Sequence, residues 1–255
     1  MTTLFISHGA PTLAIEPGAT GKLLGELALS LPRPQAILVI SAHWDTHAPR
    51  ISLAEKPQTI HDFGGFPREM YEIEYPVNGA PVLAEQTATL LKKAGIDVEL
   101  DHGRGLDHGA WVPLRLMYPD ADIPVTQLSI QSRLGPQAHY DMGRAISQLQ
   151  DENVLILCSG AITHNLHDLF TMQRDAKVLD YVPDFAEWVA NKIEHEDTTA
   201  LINYRKEIKS GLRAHPTEDH ILPLFVALGA AKGKATRYQP ENTYGILAMD
   251  IYRWD

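Results

Sequence analysis

The stretch Ala36-Ile37-Leu38-Val39-Ile40-Ser41-Ala42-His43-Trp44 decides the fold. Its first five side chains are apolar, and Ile37, Val39 and Ile40 branch at Cβ. The run is too short for a helix and lacks the polar alternation of a half-exposed strand. It predicts a strand over residues 36–41 that is buried on both faces, as in parallel sheets covered by helices. Runs of the same kind stand at residues 4–7, 50–54, 98–101, 124–130, 154–159 and 245–252, most of them closing near Gly, Ser or His. Helical patterns lie between them. Residues 80–94 place Leu83, Leu90, Leu91 and Ala94 on one side, and Gly95 supplies the stop. Residues 137–149 carry Met142, Ile146 and Leu149 on one stripe, and residues 184–193 carry Phe185, Trp188, Val189 and Ile193. A last apolar helix spans residues 221–231 and starts near Leu222, because Pro223 is harmless only in a first turn.

Strands alternating with helices imply an α/β sandwich: a central, mostly parallel or mixed sheet flanked by helices. Residues 1–255 contain no repeat and no Ser/Gly linker, so one domain is expected. Residues 56–78 hold Pro57, Gly64, Gly65, Pro67 and Pro76 and predict a long ordered loop of the kind that forms lids or binding sites. For 255 residues, area scaling gives a folded surface of about 11,000 Å², enough to enclose a sizeable core.

The net charge is −10 and no basic block occurs. Neither a nucleic acid nor an anionic membrane surface is an expected partner, since both need clustered Lys and Arg. No apolar run approaches the roughly 18 residues of a membrane span. The lone Cys158 excludes an internal disulfide and a Cys-rich zinc site. A soluble cytoplasmic protein is expected; its oligomeric state is left open.

The twelve histidines outnumber the lysines, and their positions carry the signal. His8 follows the first strand, His43 the second, and His164 the 154–159 strand; His220 precedes the last helix. In an open α/β sheet ligands sit outside the carboxyl ends of the strands, where imidazoles remote in sequence can converge. His61 and His108 lie in loop-like motifs. A lone loop histidine is ordinarily just solvated, and His47, His139, His167, His195 and His215 are taken that way, with His102 undecided. Gly9, Gly65 and Gly109 suggest turns that need a positive φ. Neutral imidazole is the commonest metal ligand. No HExxH pair, GxSxG elbow or P-loop is present, so metalloprotease, α/β-hydrolase and phosphoryl-transfer chemistries lack their signatures. Spacing alone leads to a multi-histidine metal site and does not choose between a redox and a hydrolytic metal.

Six motifs sharpen this. Ser7-His8-Gly9-Ala10-Pro11-Thr12, Ser41-Ala42-His43-Trp44, His61-Asp62-Phe63-Gly64-Gly65-Phe66-Pro67, Leu106-Asp107-His108-Gly109-Ala110-Trp111, Thr163-His164-Asn165-Leu166 and Asp219-His220-Ile221-Leu222-Pro223-Leu224 follow one another across nearly the whole chain. In this order they resemble the DOPA-dioxygenase branch of the class III extradiol ring-cleavage dioxygenases. The resemblance implies an enzyme that opens a catechol ring beside its hydroxyls and places both atoms of O₂ in a semialdehyde product. It implies one divalent metal, Fe(II) for activity or Zn(II) as found in some relatives. His8, His43 and His220 match the ligand positions, His164 the acid–base histidine, and His108 a second histidine near substrate and oxygen. The wider class uses two histidines and one carboxylate, whereas the third position here is His220. The loop residues His61, Phe63 and Phe66 are expected to pack the aromatic substrate. Three protein ligands leave open positions on a non-haem iron, and holding catechol and O₂ together turns an encounter into an oriented reaction. A His164 with a pKa near neutrality would suit proton transfer in both directions.

Two other functions remain at this stage. A zinc hydrolase could share the ligand set, with His164 or Glu218 as base; zinc could hold a catechol but has no redox step to offer. A non-catalytic binding module on the same scaffold would not need the ligand histidines, and all of them are present.

Overall fold

The computed structural model describes residues 1–169 and 172–255. Its strands are β1 (Thr3–Ser7), β2 (Ala36–Asp45), β3 (Arg50–Ser52), β4 (Glu99–Asp101), β5 (Val125–Ile130), β6 (Val154–Gly160), β7 (Ala235–Tyr238) and β8 (Ile251–Trp254). The helices are α1 (Gly18–Ser30), α2 (Pro81–Lys93), α3 (His108–Met117), α4 (Gly135–Ile146), α5 (Leu166–Leu169), α6 (Tyr181–Glu194), α7 (Thr198–Ile202), α8 (Tyr204–Glu207), α9 (Lys209–Ala214) and α10 (Leu222–Ala230).

One sheet runs in the order β4-β3-β5-β2-β6-β1-β8-β7. Its four central strands, β5, β2, β6 and β1, are mutually parallel. On the flanks β3 joins β5, β8 joins β1, and β7 joins β8, all antiparallel, while β4 returns parallel to β3. The sheet is therefore mixed. Period-2 alternation deals each central strand into two cores. Leu4, Ile6, Ile37, Val39, Leu155 and Leu157 meet α1 and α3 on one face. Phe5, Leu38, Ile40, Ile156 and Cys158 meet α4, α6 and α10 on the other. This two-sided burial is why the strands consist of unbroken apolar runs. The folded surface is 11149 Å², as the area scaling anticipates. Among the described residues, no helix is long and apolar enough to cross a membrane.

The structure departs from expectation in three places. The run 245–252 is a strand only from Ile251. Before that, Thr163 replaces a sheet partner: its hydroxyl accepts from Ala248 N–H at 2.8 Å and donates to the Ile246 carbonyl at 2.7 Å. The short edge strand β7 and the helices α1, α3, α5, α7, α8 and α9 were not anticipated. Helix α1 holds three glycines in its GATGKLLGELALS sequence, and α3 is interrupted by Pro113; both features weaken a helical pattern. Finally, His43 lies inside β2, in the stretch between Ile40 and Asp45 where pairing with β5 shifts register, and does not follow the strand. The 56–78 stretch is largely loop with one 3₁₀ turn, Arg68–Glu72, and α10 starts with Pro223 in its first turn.

Candidate metal centre

Parallel register sets Ser7 of β1 opposite Gly160 of β6, and Ser41 of β2 opposite Ser159 of β6. His8 and His43 therefore emerge side by side at the carboxyl rim. Gly160 lets the segment before α10 reach the same rim: a Cβ there would lie 2.2 Å from the His220 carbonyl oxygen, to which Ala161 N–H donates at 2.8 Å. Helix α3 delivers His108 as its first residue. Its N-cap, Asp107, accepts from Ala110 N–H. Gly9 and Gly65 do adopt positive φ, but Gly109 does not. Glycine is required at 109 by close approach, because a Cβ would meet Ser41 Oγ at 2.4 Å and His43 Cδ2 at 3.0 Å.

The Nε2 of His43 lies 3.1 Å from the Nε2 of His8 and 3.2 Å from the Nε2 of His220. The outer two rings have defined tautomers. Pro113 has no N–H to give to the Gly109 carbonyl four residues earlier, and that carbonyl accepts the Ser159 hydroxyl proton. With its proton spent there, Ser159 Oγ receives one from His8 Nδ1 at 2.9 Å, which leaves His8 Nε2 a bare lone pair. His220 Nδ1 donates to the Asp219 carboxylate, and its Nε2 is likewise bare. Burial, then the neighbouring imidazoles, holds His8 and His220 well below the usual histidine range. Burial and His108 lower His43 to about 4. All three rings are therefore neutral at physiological pH.

This donor set fits a divalent metal. Metal–nitrogen bonds of about 2.0–2.1 Å at angles between octahedral and tetrahedral separate adjacent donors by about 2.8–3.4 Å, which brackets the two spacings from His43 Nε2. Oxygen acceptors on Nδ1 are also the outer-shell pattern that orients ligand imidazoles.

The other expected site residues surround this group. His164 stacks on His220, with ring centroids 3.4 Å apart and planes at 6°. Burial lowers it to about 4, so the expectation of a pKa near neutrality fails: the ring is a neutral acceptor. His108 is buried, with its ring 3.9 Å from that of His43. Phe63 meets His108 edge-on at 5.7 Å and Phe66 at 5.4 Å. His61 donates from Nε2 to the Ile73 carbonyl at 3.0 Å and faces Phe63, Tyr71 and Trp111. Glu218 accepts from the Tyr204 hydroxyl.

Sequence reasoning missed the oxygens behind the histidines. Asp219 pairs with its neighbour His220, but Asp107 does not pair with His108. Instead Asp62, from the 56–78 loop, places Oδ1 3.0 Å from His108 Nδ1 and Oδ2 3.3 Å from His43 Nδ1. Burial pushes the Asp62 carboxyl up, and the hydrogen bonds and charge of His108, with that of His43, more than reverse it to about 2. The rule that ligand imidazoles need Nδ1 acceptors was the available signal. Two histidines taken as solvated are in fact buried structural groups. His139 bonds the Gly135 carbonyl through Nδ1 and receives Gln131 N–H at Nε2; His215 Nε2 donates to the Ile162 carbonyl at 2.7 Å. His47, His167 and His195 are exposed as expected.

Neutral imidazoles gathered on one rim of an α/β sheet, beside an aromatic-lined loop, form a site with room for a metal ion and an aromatic ligand. Residues 2–248 match the family model described as the catalytic LigB subunit of aromatic ring-opening dioxygenase. The chain is 40% identical to the 4,5-DOPA dioxygenase extradiol of Escherichia coli (strain K12), over 92% of this chain and 86% of that one. It is 39% identical to the protein of the same name from Beta vulgaris, over 99% and 96%. The crystal structure of an uncharacterized Escherichia coli K12 protein superposes over 100% of both chains with a TM-score of 0.82 at 33% identity. The chain belongs to the LigB family of aromatic ring-opening dioxygenases. It is an extradiol enzyme that opens a catechol ring with O₂, and the hydrolase and binding-module alternatives find no support in these relatives.

Proposed function

We propose that residues 1–255 form one catalytic domain that cleaves a DOPA-like or related catechol on Fe(II) held by His8, His43 and His220. The observation that carries this reading is the placement of His43 Nε2 3.1 Å from His8 Nε2 and 3.2 Å from His220 Nε2, with the Nδ1 protons of the outer two rings held by Ser159 and Asp219. When bound, Fe(II) supplies open coordination positions and the one-electron chemistry that O₂ needs and zinc lacks. The relatives named as 4,5-DOPA dioxygenases support an amino-acid-bearing catechol.

The chain's own residues do the rest. His164, neutral and stacked on His220, takes the proton of the second catechol hydroxyl and later returns one to oxygen as the ring opens. Such transfers are each worth about 10²- to 10⁴-fold. His108 hydrogen-bonds the dioxygen or the catecholate and stabilises charge as it develops. Phe63 and Phe66 receive the substrate ring, and His61 completes that aromatic wall. A reducing cytoplasm, suited to Fe(II) and to the lone buried thiol of Cys158, is the compartment we assign.

The test is anaerobic loading with Fe(II), addition of a panel of catechols including DOPA, and then air. A yellow ring-opened product is expected with iron and none with zinc. If every catechol fails with iron, the reading falls; activity with simple catechols but not DOPA removes only the substrate assignment.

A further inference from the structure

Asp62 places its two carboxylate oxygens within 3.3 Å of two of the clustered imidazoles, and it comes from a loop rather than a strand end. Its Oδ1 receives the His108 backbone N–H at 2.8 Å and lies 3.0 Å from His108 Nδ1; its Oδ2 lies 3.3 Å from His43 Nδ1. His43 is also the ring whose tautomer is contested. Its Nε2 faces two bare lone pairs, His8 Nε2 at 3.1 Å and His220 Nε2 at 3.2 Å. Left to itself, a neutral His43 would protonate Nε2 and donate to one of them. The three donors would then cap each other, and an incoming cation would have to break that bond and move the proton.

We infer that Asp62 is a positioning residue whose carboxylate charge, 3.3 Å from His43 Nδ1, keeps that ring's proton on Nδ1 and its Nε2 bare for the metal. A carboxylate can only accept, so its charge favours the His43 tautomer that carries the proton on the facing Nδ1. The tautomer of a ring is set by what its other nitrogen meets. Because Asp62 lies between His61 and Phe63, the same contact fastens the aromatic wall of the substrate site to the metal centre. The inference rests on the reading of His43 as a ligand.

Asp62→Asn tests it. An amide offers one acceptor and one NH₂ in place of two acceptors. With its oxygen on the His108 side, the NH₂ faces His43 Nδ1 and pushes that ring's proton to Nε2. Zinc affinity, measured by competition with a chelator so that no turnover is needed, should fall by about 10- to 100-fold, the usual consequence of losing an outer-shell partner. Nitrogen-15 spectra of metal-free protein should show His43 protonated on Nδ1 in the wild type and on Nε2 in Asp62→Asn. The wild-type spectrum decides the matter even if the variant folds poorly: a His43 proton on Nε2 there overturns the inference. So does zinc affinity in folded Asp62→Asn within about twofold of wild type while His43→Ala loses zinc. If His43→Ala itself keeps full zinc affinity, it is the ligand reading that has failed.

Discussion

Asp107 and Asp62 both stand near His43 and are held in opposite ways. Asp107 is fully buried. Its oxygens take Ser41 Oγ at 2.6 Å, Gln127 Nε2 at 2.6 Å, Arg104 at 2.7 Å and the Ala110 N–H at 3.2 Å. Asp62 keeps 23% of its side chain exposed, and apart from one backbone N–H its neighbours are two imidazoles. The first carboxylate knits β2, β5 and α3 into the rim from which the ligands emerge; the second reaches in from the loop and touches the ligands themselves. Scaffold and tuning are thus divided between a strand-end side and a loop side, and substitutions should separate them.

The largest effect is expected at the rim. His43→Ala should reduce bound metal to background and abolish ring cleavage, as read by elemental analysis and product absorbance; a metal-replete variant would remove His43 from the ligand set. His164→Ala comes next. Metal content should stay at the wild-type level while turnover falls by about 10²- to 10⁴-fold, and loss of metal instead would make His164 a ligand. Asp107→Ala should act on the fold. It leaves Arg104, 20% exposed, and three neutral donors without their acceptor, for a loss of about 3–5 kcal/mol in denaturant unfolding. A loss below about 1 kcal/mol would deny the scaffold role. On the loop side, Phe63→Ala should raise KM for the catechol by about 3- to 10-fold, the worth of one aromatic contact, with melting temperature and metal content unchanged. An unchanged KM would separate the aromatic loop from substrate binding.

The central sheet was legible because β1, β2, β5 and β6 are buried on both faces and so appear as bare apolar runs in the sequence. Of the five histidines of the centre, His8, His164 and His220 stand beside element ends, where an α/β sheet gathers ligands; His43, expected after β2, lies inside it, and the ordered motifs placed His108. What escaped was set by partners remote in sequence. Thr163 supplies the bonds that make residues 246–248 look strand-like without a strand. His139 and His215 are buried by packing that no local pattern announces. Asp62, Ser159 and Asp219 became visible only once the rings they orient had positions.

A helix with a proline at its sixth residue carries a missing rung, ordinarily a defect of about 3 kcal/mol. In α3 that gap leaves the Gly109 carbonyl to Ser159, and through Ser159 it reaches His8. Stiffness in the helix and grip on the cation are therefore in opposition. Pro113→Ala should raise the urea midpoint by restoring the rung, yet weaken zinc binding by less than about tenfold, since the new N–H competes for the serine's acceptor. An unchanged affinity would mean that the carbonyl serves both donors at once. A designer seeking only a sturdier protein would repair this position first, and would thereby loosen the metal.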